Sequence, residues 1–286
     1  MNRNEIFSTV IQNADAKTRA ADDYINPADG LRYCGKCHTP KEAFFPEGTD
    51  FCGFKTHPSP CRCARERQEK QEQEALARKR ASELLRLRIN AFRDIPAGGW
   101  RFEQAATRTP QLEKAQRYAE NWDAFYKDGL GLLLFGGVGT GKSYAAGCIA
   151  NVLLERLIPV LLVSMTDAVS RMQSNFGAER ERYLESLMRP ELLILDDLGA
   201  ERNTTYGKER VFDIINNRWL SRKPMIITTN IPLSAMKSAA DLDERRIYDR
   251  ILEVCAPIAF TGESFRKDRA AENLKRAAQY LTGSCV

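Results

Sequence analysis

From residue 130 to 281 the chain alternates short apolar runs with stretches whose apolar residues recur every three or four positions. The runs predict strands at 130–135, 160–165, 191–196, 225–229 and 256–260. The periodic stretches predict helices at 142–157, 167–176, 178–188, 206–219, 233–238, 243–253 and 265–281. Strands that are apolar along their length are buried on both faces, so the alternation implies an α/β fold: a mainly parallel five-stranded sheet covered by helices on both sides. Upstream, Leu112, Ala115, Tyr118, Ala119, Trp122 and Phe125 mark a helix over 111–128, and the turn-rich stretch 89–110 reads as the way into this domain.

The first quarter of the chain is patterned differently. A weak helical stripe of Ile6, Phe7, Val10 and Ile11 runs through residues 1–25 and is broken by "NPADG" at 26–30. Residues 31–63 hold few aliphatic side chains. Residues 64–88 mix Glu, Gln, Lys, Arg and Ala without Gly or Pro, the composition of a solvent-faced helix or helical linker. The expected organisation is an N-terminal region over 1–63, a charged linker over 64–88 and the α/β domain over 89–286. A length of 286 residues suits one sizeable core with a smaller appendage.

A net charge of +5 permits contact with nucleic acid or an acidic protein without establishing either. No apolar stretch approaches a membrane span, and "MNRNEIFSTVIQNADAKTRA" lacks the order of a signal peptide, so a cytoplasmic protein with no membrane contact is expected. Five of the eight cysteines, Cys34, Cys37, Cys52, Cys61 and Cys63, fall between 34 and 63, whereas Cys148, Cys255 and Cys285 are scattered. In a reducing compartment such a cluster points to a metal. A pair at each end of the loop favours Cys34, Cys37, Cys61 and Cys63 around Zn2+, which would supply the core this module lacks. Cys52, His38 and His57 remain substitutes, and an iron–sulfur cluster or free thiols remain alternatives.

The strand "LGLLLF" runs straight into "GGVGTGKS" and then into a helix. Gly136, Gly137, Val138, Gly139, Thr140, Gly141, Lys142 and Ser143 thus have the spacing and context of a phosphate-binding loop. Backbone amides and a helix N-terminus would cradle the phosphates, Lys142 would reach the outer two, and Ser143 would join a Mg2+ shell. The strand "PELLILDDLGAE" ends on Asp196 and Asp197. An Asp-Asp pair alone is an ordinary strand-to-turn transition; beside a phosphate loop, Asp196 would hold Mg2+ through water and Asp197 would orient or deprotonate the attacking water. A third strand ends at Asn230, whose amide would donate to the terminal phosphate or place the water, although Asn also favours turns for local reasons.

With these motifs, "LLILDDLGAERNTTYGKERVFDIINNRW", "KPMIITTN", "IYDRI" and "GESFR" together resemble the AAA+ ATPases of the bacterial helicase-loader class, which includes the DnaC and DnaI loaders and the IstB transposition ATPases. The resemblance spans roughly residues 90–270. It implies an AAA+ P-loop core in which the Asn230 strand lies between the loop strand and the Asp196 strand. It also implies Asn230 as first sensor, Arg250 as an arginine finger for a neighbouring subunit's ATP, with Arg246 as understudy, and Arg266 as second-sensor arginine. A local alternative puts Arg250 on a solvated helix face, pairing with Asp243 and Glu244. The Asp-Asp pair, where many AAA+ proteins have Asp-Glu, and the few residues after Phe265, which leave no room for a separate helical lid, fit slow, switch-like hydrolysis.

The cysteine module resembles in position the zinc-stabilised N-terminal regions of some loaders, which implies docking on a replicative ring helicase. The class further implies self-association in a spiral and single-stranded DNA in its channel. Arg171, Arg180, Arg182 and Arg189 are phosphate-contact candidates, or else ordinary surface residues. The leading expectation is ATP-dependent loading of a ring helicase onto single-stranded DNA. A transposition ATPase and an ATP-gated, non-hydrolysing helicase adaptor are the alternatives.

Overall fold

The computed structural model describes residues 19–47, 54–92, 95–201 and 204–281, with side chains of 266–271 excepted. The chain divides into two compact units, 1–81 and 82–286. The expected stripe at Ile6, Phe7, Val10 and Ile11 lies outside the described residues, as do Cys52 and Cys285.

In the first unit, β1 (Tyr24–Ile25) pairs antiparallel with β2 (Arg32–Tyr33), and β3 (Glu42–Phe44) with β4 (Thr56–Pro58). Tyr24 and Ile25, placed by periodicity in a weak helix, are extended. The Asn26 carbonyl accepts from Gly30 N–H and closes the turn that pairs them with β2. Helix α1 (Arg62–Phe92) starts here and ends in the second unit. Its first turns are exposed, as its composition predicts. Its last turns are not: Leu87, Ala91 and Phe92 are buried in the second unit's core and Leu84 packs against it. The solvent-faced stretch therefore ends before residue 88, because the apolar positions 84, 87 and 91 fall on one helix face.

In the second unit, α2 (Pro110–Glu120) and α3 (Trp122–Asp128) replace the single helix expected over 111–128. Thr109 caps α2 by accepting from Leu112 N–H, with Pro110 in the first turn. Asn121 ends it with φ −96° and ψ 23°, its side-chain amide donating to the Arg117 carbonyl at 2.8 Å. The sheet consists of β5 (Gly131–Gly136), β6 (Val160–Ser164), β7 (Leu192–Leu198), β8 (Met225–Thr229) and β9 (Cys255–Phe260), all parallel, in the order β6-β7-β8-β5-β9. The Asn230 strand thus lies between the loop strand and the Asp196 strand.

Side chains alternate between two cores. Leu132, Leu134, Ile194 and Ile226 face α2 and α4 (Lys142–Glu155). Leu133, Leu193, Leu195 and Ile227 face α5 (Met165–Ser174), α7 (Thr205–Leu220) and α9 (Leu242–Val254). Helices α6 (Ala178–Met188), α8 (Leu233–Lys237) and α10 (Phe265–Leu281) complete the three-layer unit. Among the described residues no helix is long and apolar enough to cross a membrane.

Candidate functional site

The C-terminal ends of β5, β7 and β8 form one rim, which is where parallel α/β sheets present ligand-binding loops. The loop after β5 folds through glycine conformations: φ is 137° at Gly136, 78° at Gly139 and 96° at Gly141. At Gly136 a Cβ would lie 2.2 Å from the Phe260 carbonyl oxygen, so no side chain fits there. Thr140 hydroxyl donates to the Gly137 carbonyl at 2.9 Å and fixes the turn. Gly141 caps α4, which has no side-chain cap and no acidic residue in its first turn. No carboxylate of its own cap or first turn competes for its N-terminal amides and positive dipole end, which suits them to a phosphate. Val138 is exposed at the loop tip, and Ser143 lies half-buried in the first turn of α4.

Lys142, only 6% exposed, donates to the carbonyls of Gly136 at 2.9 Å and Gly137 at 2.6 Å, and to Asn230 Oδ1 at 2.9 Å. Asn230 Nδ2 in turn donates to Asp197 Oδ1 at 3.3 Å. The loop, the acid pair and the residue that ends β8 are thus joined in one hydrogen-bonded chain. Asp196 and Asp197 sit at an irregularity in the β7–β8 ladder: Leu195 pairs with Ile227 but Leu198 with Thr229, so β7 carries one extra residue. Asp197 takes the left-handed conformation with φ 63°. The buried Thr228 hydroxyl lies between the two acids, accepting from Asp197 N–H at 2.9 Å and donating to Asp196 Oδ1 at 2.6 Å. Sequence periodicity registers neither the bulge nor Thr228, because a single inserted residue leaves the apolar run intact.

Arg250 does not join this rim within its own chain. It lies half-buried on α9, donating to Asn216 Oδ1 at 2.8 Å and stacking over the rings of Phe212 and Trp219 at 4.8 and 5.4 Å. The pairs suggested with Asp243 and Glu244 do not describe it: Glu244 pairs with Lys208 at 2.9 Å, and Arg246 lies over Phe212. Arg266 follows Phe265, whose N–H donates to the Gly139 carbonyl at 3.0 Å, so the backbone at the start of α10 is tied to the loop. The Arg266 side chain lies outside the described residues. Of the DNA-contact candidates, Arg180 on α6 packs over Phe176 and donates to the Asn175 carbonyl, and Arg182 donates to the Ala178 carbonyl. Arg171 and Arg189 lie on α5 and at the end of α6.

Nor does periodicity mark a buried structural arginine on α7. Arg218 is fully buried and donates to the carbonyls of Met188, Pro190, Glu191 and Pro224, the segments that lead into β7 and β8. Burial lowers its pKa to about 10, so it stays charged at neutral pH.

In the first unit Cys34, Cys37, Cys61 and Cys63 come together, with all four Sγ atoms within 4.8 Å of one another. Cys63 Sγ is 3.7 Å from that of Cys34 and 3.4 Å from that of Cys61. Four sulfurs about 2.3 Å from one zinc would lie about 3.8 Å apart, so the geometry and the all-thiol donor set fit Zn2+. Hydrogen bonding to the Cys61, Cys37 and Cys34 sulfurs pushes Cys63 up to about 12, while the Thr39 hydroxyl helps lower Cys37 to about 5. Four thiolates gathered this closely would need a cation to offset their charge. His38 is exposed and paired with Tyr24, and His57 is held by the Pro58 carbonyl and the Phe45 ring. Cys148 and Cys255 are buried, and burial raises both; Cys148 reaches about 12.

A five-stranded parallel sheet with a phosphate loop after β5, an acid pair ending β7 and a polar residue ending the intervening β8 defines an AAA+ P-loop protein. Residues 70–273 match the family of IstB-like ATP binding proteins, and the chain belongs to that family. It is 31% identical over 160 residues to the replicative helicase loader DnaC of Escherichia coli (strain K12), a match covering 54% of this chain and 62% of the relative. The DnaC loader of Buchnera aphidicola (strain APS) is 28% identical over 162 residues, again covering 54% of this chain and 63% of the relative. A crystal structure of DnaI superposes with TM-score 0.52 at 25% identity, covering 63% of this chain and 98% of that one. One of the DnaC helicase loader superposes with TM-score 0.50 at 22% identity, covering 58% and 98%, which is a likeness of fold.

Proposed function

We propose that this chain is an ATP-dependent loader that places a ring-shaped replicative helicase on single-stranded DNA. The observation that carries the reading is the hydrogen-bonded chain Lys142–Asn230–Asp197, which joins the phosphate loop to the acid pair. Its similarity to DnaC loaders supplies the choice of partner. Gly136 to Ser143 hold the triphosphate. Ser143 and Asp196 hold Mg2+, which when bound neutralises phosphate charge and orders water. Asp197 orients or deprotonates the attacking water and Asn230 senses the terminal phosphate.

Arg250 of one protomer completes the ATP site of the next, so hydrolysis depends on assembly, and Arg266 contacts the γ-phosphate in its own chain. The stack on Phe212 and Trp219 suits the role of Arg250, because it fixes the direction of a long side chain at a surface. The region 1–63, with Cys34, Cys37, Cys61 and Cys63 around Zn2+, docks on the helicase. Residues 64–83 act as the linker, since Leu84 already packs against the second unit's core and Leu87 lies in it, and the remainder acts as the ATPase. Capture of a ring-shaped replicative helicase, in the presence of ATP and single-stranded DNA, is the expected result. The family match itself favours a second reading, a transposition ATPase acting on target DNA, and capture of a transposase in place of the helicase would establish that reading instead.

A further inference from the structure

Thr228 occupies a fully buried position in the central strand β8, where Val would fill the same space without a hydroxyl to satisfy. Its hydroxyl has two hydrogen bonds and both go to the acid pair: it accepts from Asp197 N–H at 2.9 Å and donates to Asp196 Oδ1 at 2.6 Å. The next residue shows what a purely structural threonine does at this sheet end. Thr229 donates to the Leu198 carbonyl at 2.7 Å and accepts from Ile231 N–H at 3.0 Å, two backbone partners. The extra residue between Leu195 and Leu198 takes Asp196 and Asp197 out of the regular ladder with β8, and the Thr228 oxygen supplies Asp197 N–H with an acceptor there. The same oxygen then donates its proton to Asp196. One side chain sets both the backbone that aims Asp197 and the carboxylate plane of Asp196.

We infer that Thr228 is a positioning residue of the nucleotide site: it orients the Asp196 carboxylate toward a divalent cation and holds the bulge that presents Asp197. This rests on the nucleotide reading given above. A hydrogen bond from an outer residue to a metal-binding carboxylate fixes which oxygen faces the ion, and its loss typically costs ten- to a hundred-fold in metal affinity. Loop contacts to phosphate involve other residues, so nucleotide affinity without metal does not depend on Thr228.

The test uses the full chain and a fluorescent ATP analogue, titrated once with excess magnesium and once with EDTA, for wild type, Thr228→Val and Thr228→Ser. Thr228→Val is expected to match wild type within about two-fold in EDTA but to lose about ten- to a hundred-fold of the tightening that magnesium brings, and Thr228→Ser to restore it. Melting temperature is measured alongside, and if Thr228→Val does not fold, Thr228→Ala is read in the same way. Equal magnesium dependence in wild type and the hydroxyl-free variant overturns the inference. A loss of equal size with and without magnesium also overturns it, since that marks a merely structural residue. Wild type that binds no nucleotide under either condition removes the nucleotide site itself, a failure distinguishable from both.

Discussion

Replacing Arg218 with methionine tests how the rim is held in place from the opposite end of the sheet. The side chain is 0% exposed and makes five hydrogen bonds to four backbone carbonyls, at Met188, Pro190, Glu191 and Pro224. Hydrogen bonds from a charged donor are worth about 1.5 kcal/mol each at the low end, so the five contribute roughly 7 kcal/mol. Against this stands the burial of the charge: a pKa held at about 10 instead of 12.5 corresponds to about 3 kcal/mol against the charged form. The difference, about 4 kcal/mol, is of the size expected when buried carbonyls are left without a donor, at about 1–3 kcal/mol for each that finds no other partner. For a unit of this size about 1 kcal/mol lowers Tm by about 2–4 °C, so Arg218→Met is expected to lower the thermal transition of the second unit by about 8–16 °C. Circular dichroism on the full chain reads it, and Arg218→Lys, with three donors on a single nitrogen, should fall between the two. A fall of less than about 3 °C for Arg218→Met would refute the reasoning, because it would mean the four carbonyls find equal partners without the guanidinium.

Asn230→Ala is expected to cut ATP turnover about a hundred-fold, the scale for removing one preorganised donor, with nucleotide affinity within about three-fold of wild type; an unchanged turnover number would sink the sensor role. Arg250→Ala and Lys142→Ala are each expected to be inactive, and their mixture to regain part of the turnover, since sites pairing an intact loop with an intact arginine re-form only between protomers; no recovery would count against donation in trans. Metal analysis of the purified chain should return one zinc, with Cys61→Ser lowering that ratio and chelation lowering the first unit's thermal stability; a metal-free wild type that melts unchanged in chelator would discard the zinc site.

The sequence was most legible where apolar runs and Gly or Pro breaks coincide. Strand β8 was expected at 225–229 and helix α6 at 178–188, and both are found there, because flanking polar and turn residues leave no other register. The strand order follows the expected AAA+ arrangement, and the cysteine pairs meet as their spacing implies. Legibility failed where one residue decides the geometry. Asn121 breaks a helix whose apolar spacing runs on unbroken, and the buried end of α1 was missed because Leu84, Leu87 and Ala91 are diluted by a long charged sequence. Arg218 and Thr228 were invisible for a related reason: in a helix rich in Asn and Arg, and in a strand rich in β-branched residues, they match their neighbours, and only their partners distinguish them.

Those partners join the acid pair and the loop into one hydrogen-bonded unit. Lys142 has donors only, so the atom of Asn230 facing it is the amide oxygen, and this sets the Asn230 amide hydrogens toward Asp197. A phosphate that draws the Lys142 ammonium to itself competes with Asn230 Oδ1 for the same protons, and the orientation of the amide then depends on what replaces them. The backbone beneath Asp197 does not share that freedom, because its N–H is fixed to Thr228, whose own proton is committed to Asp196. The rim therefore combines a side-chain amide, Asn230, whose partners are side chains, with a frame tied to the backbone, Thr228 and the bulge. On the nucleotide reading proposed above, binding would be felt first at the amide, while the carboxylates would stay in place to act on the bound phosphate.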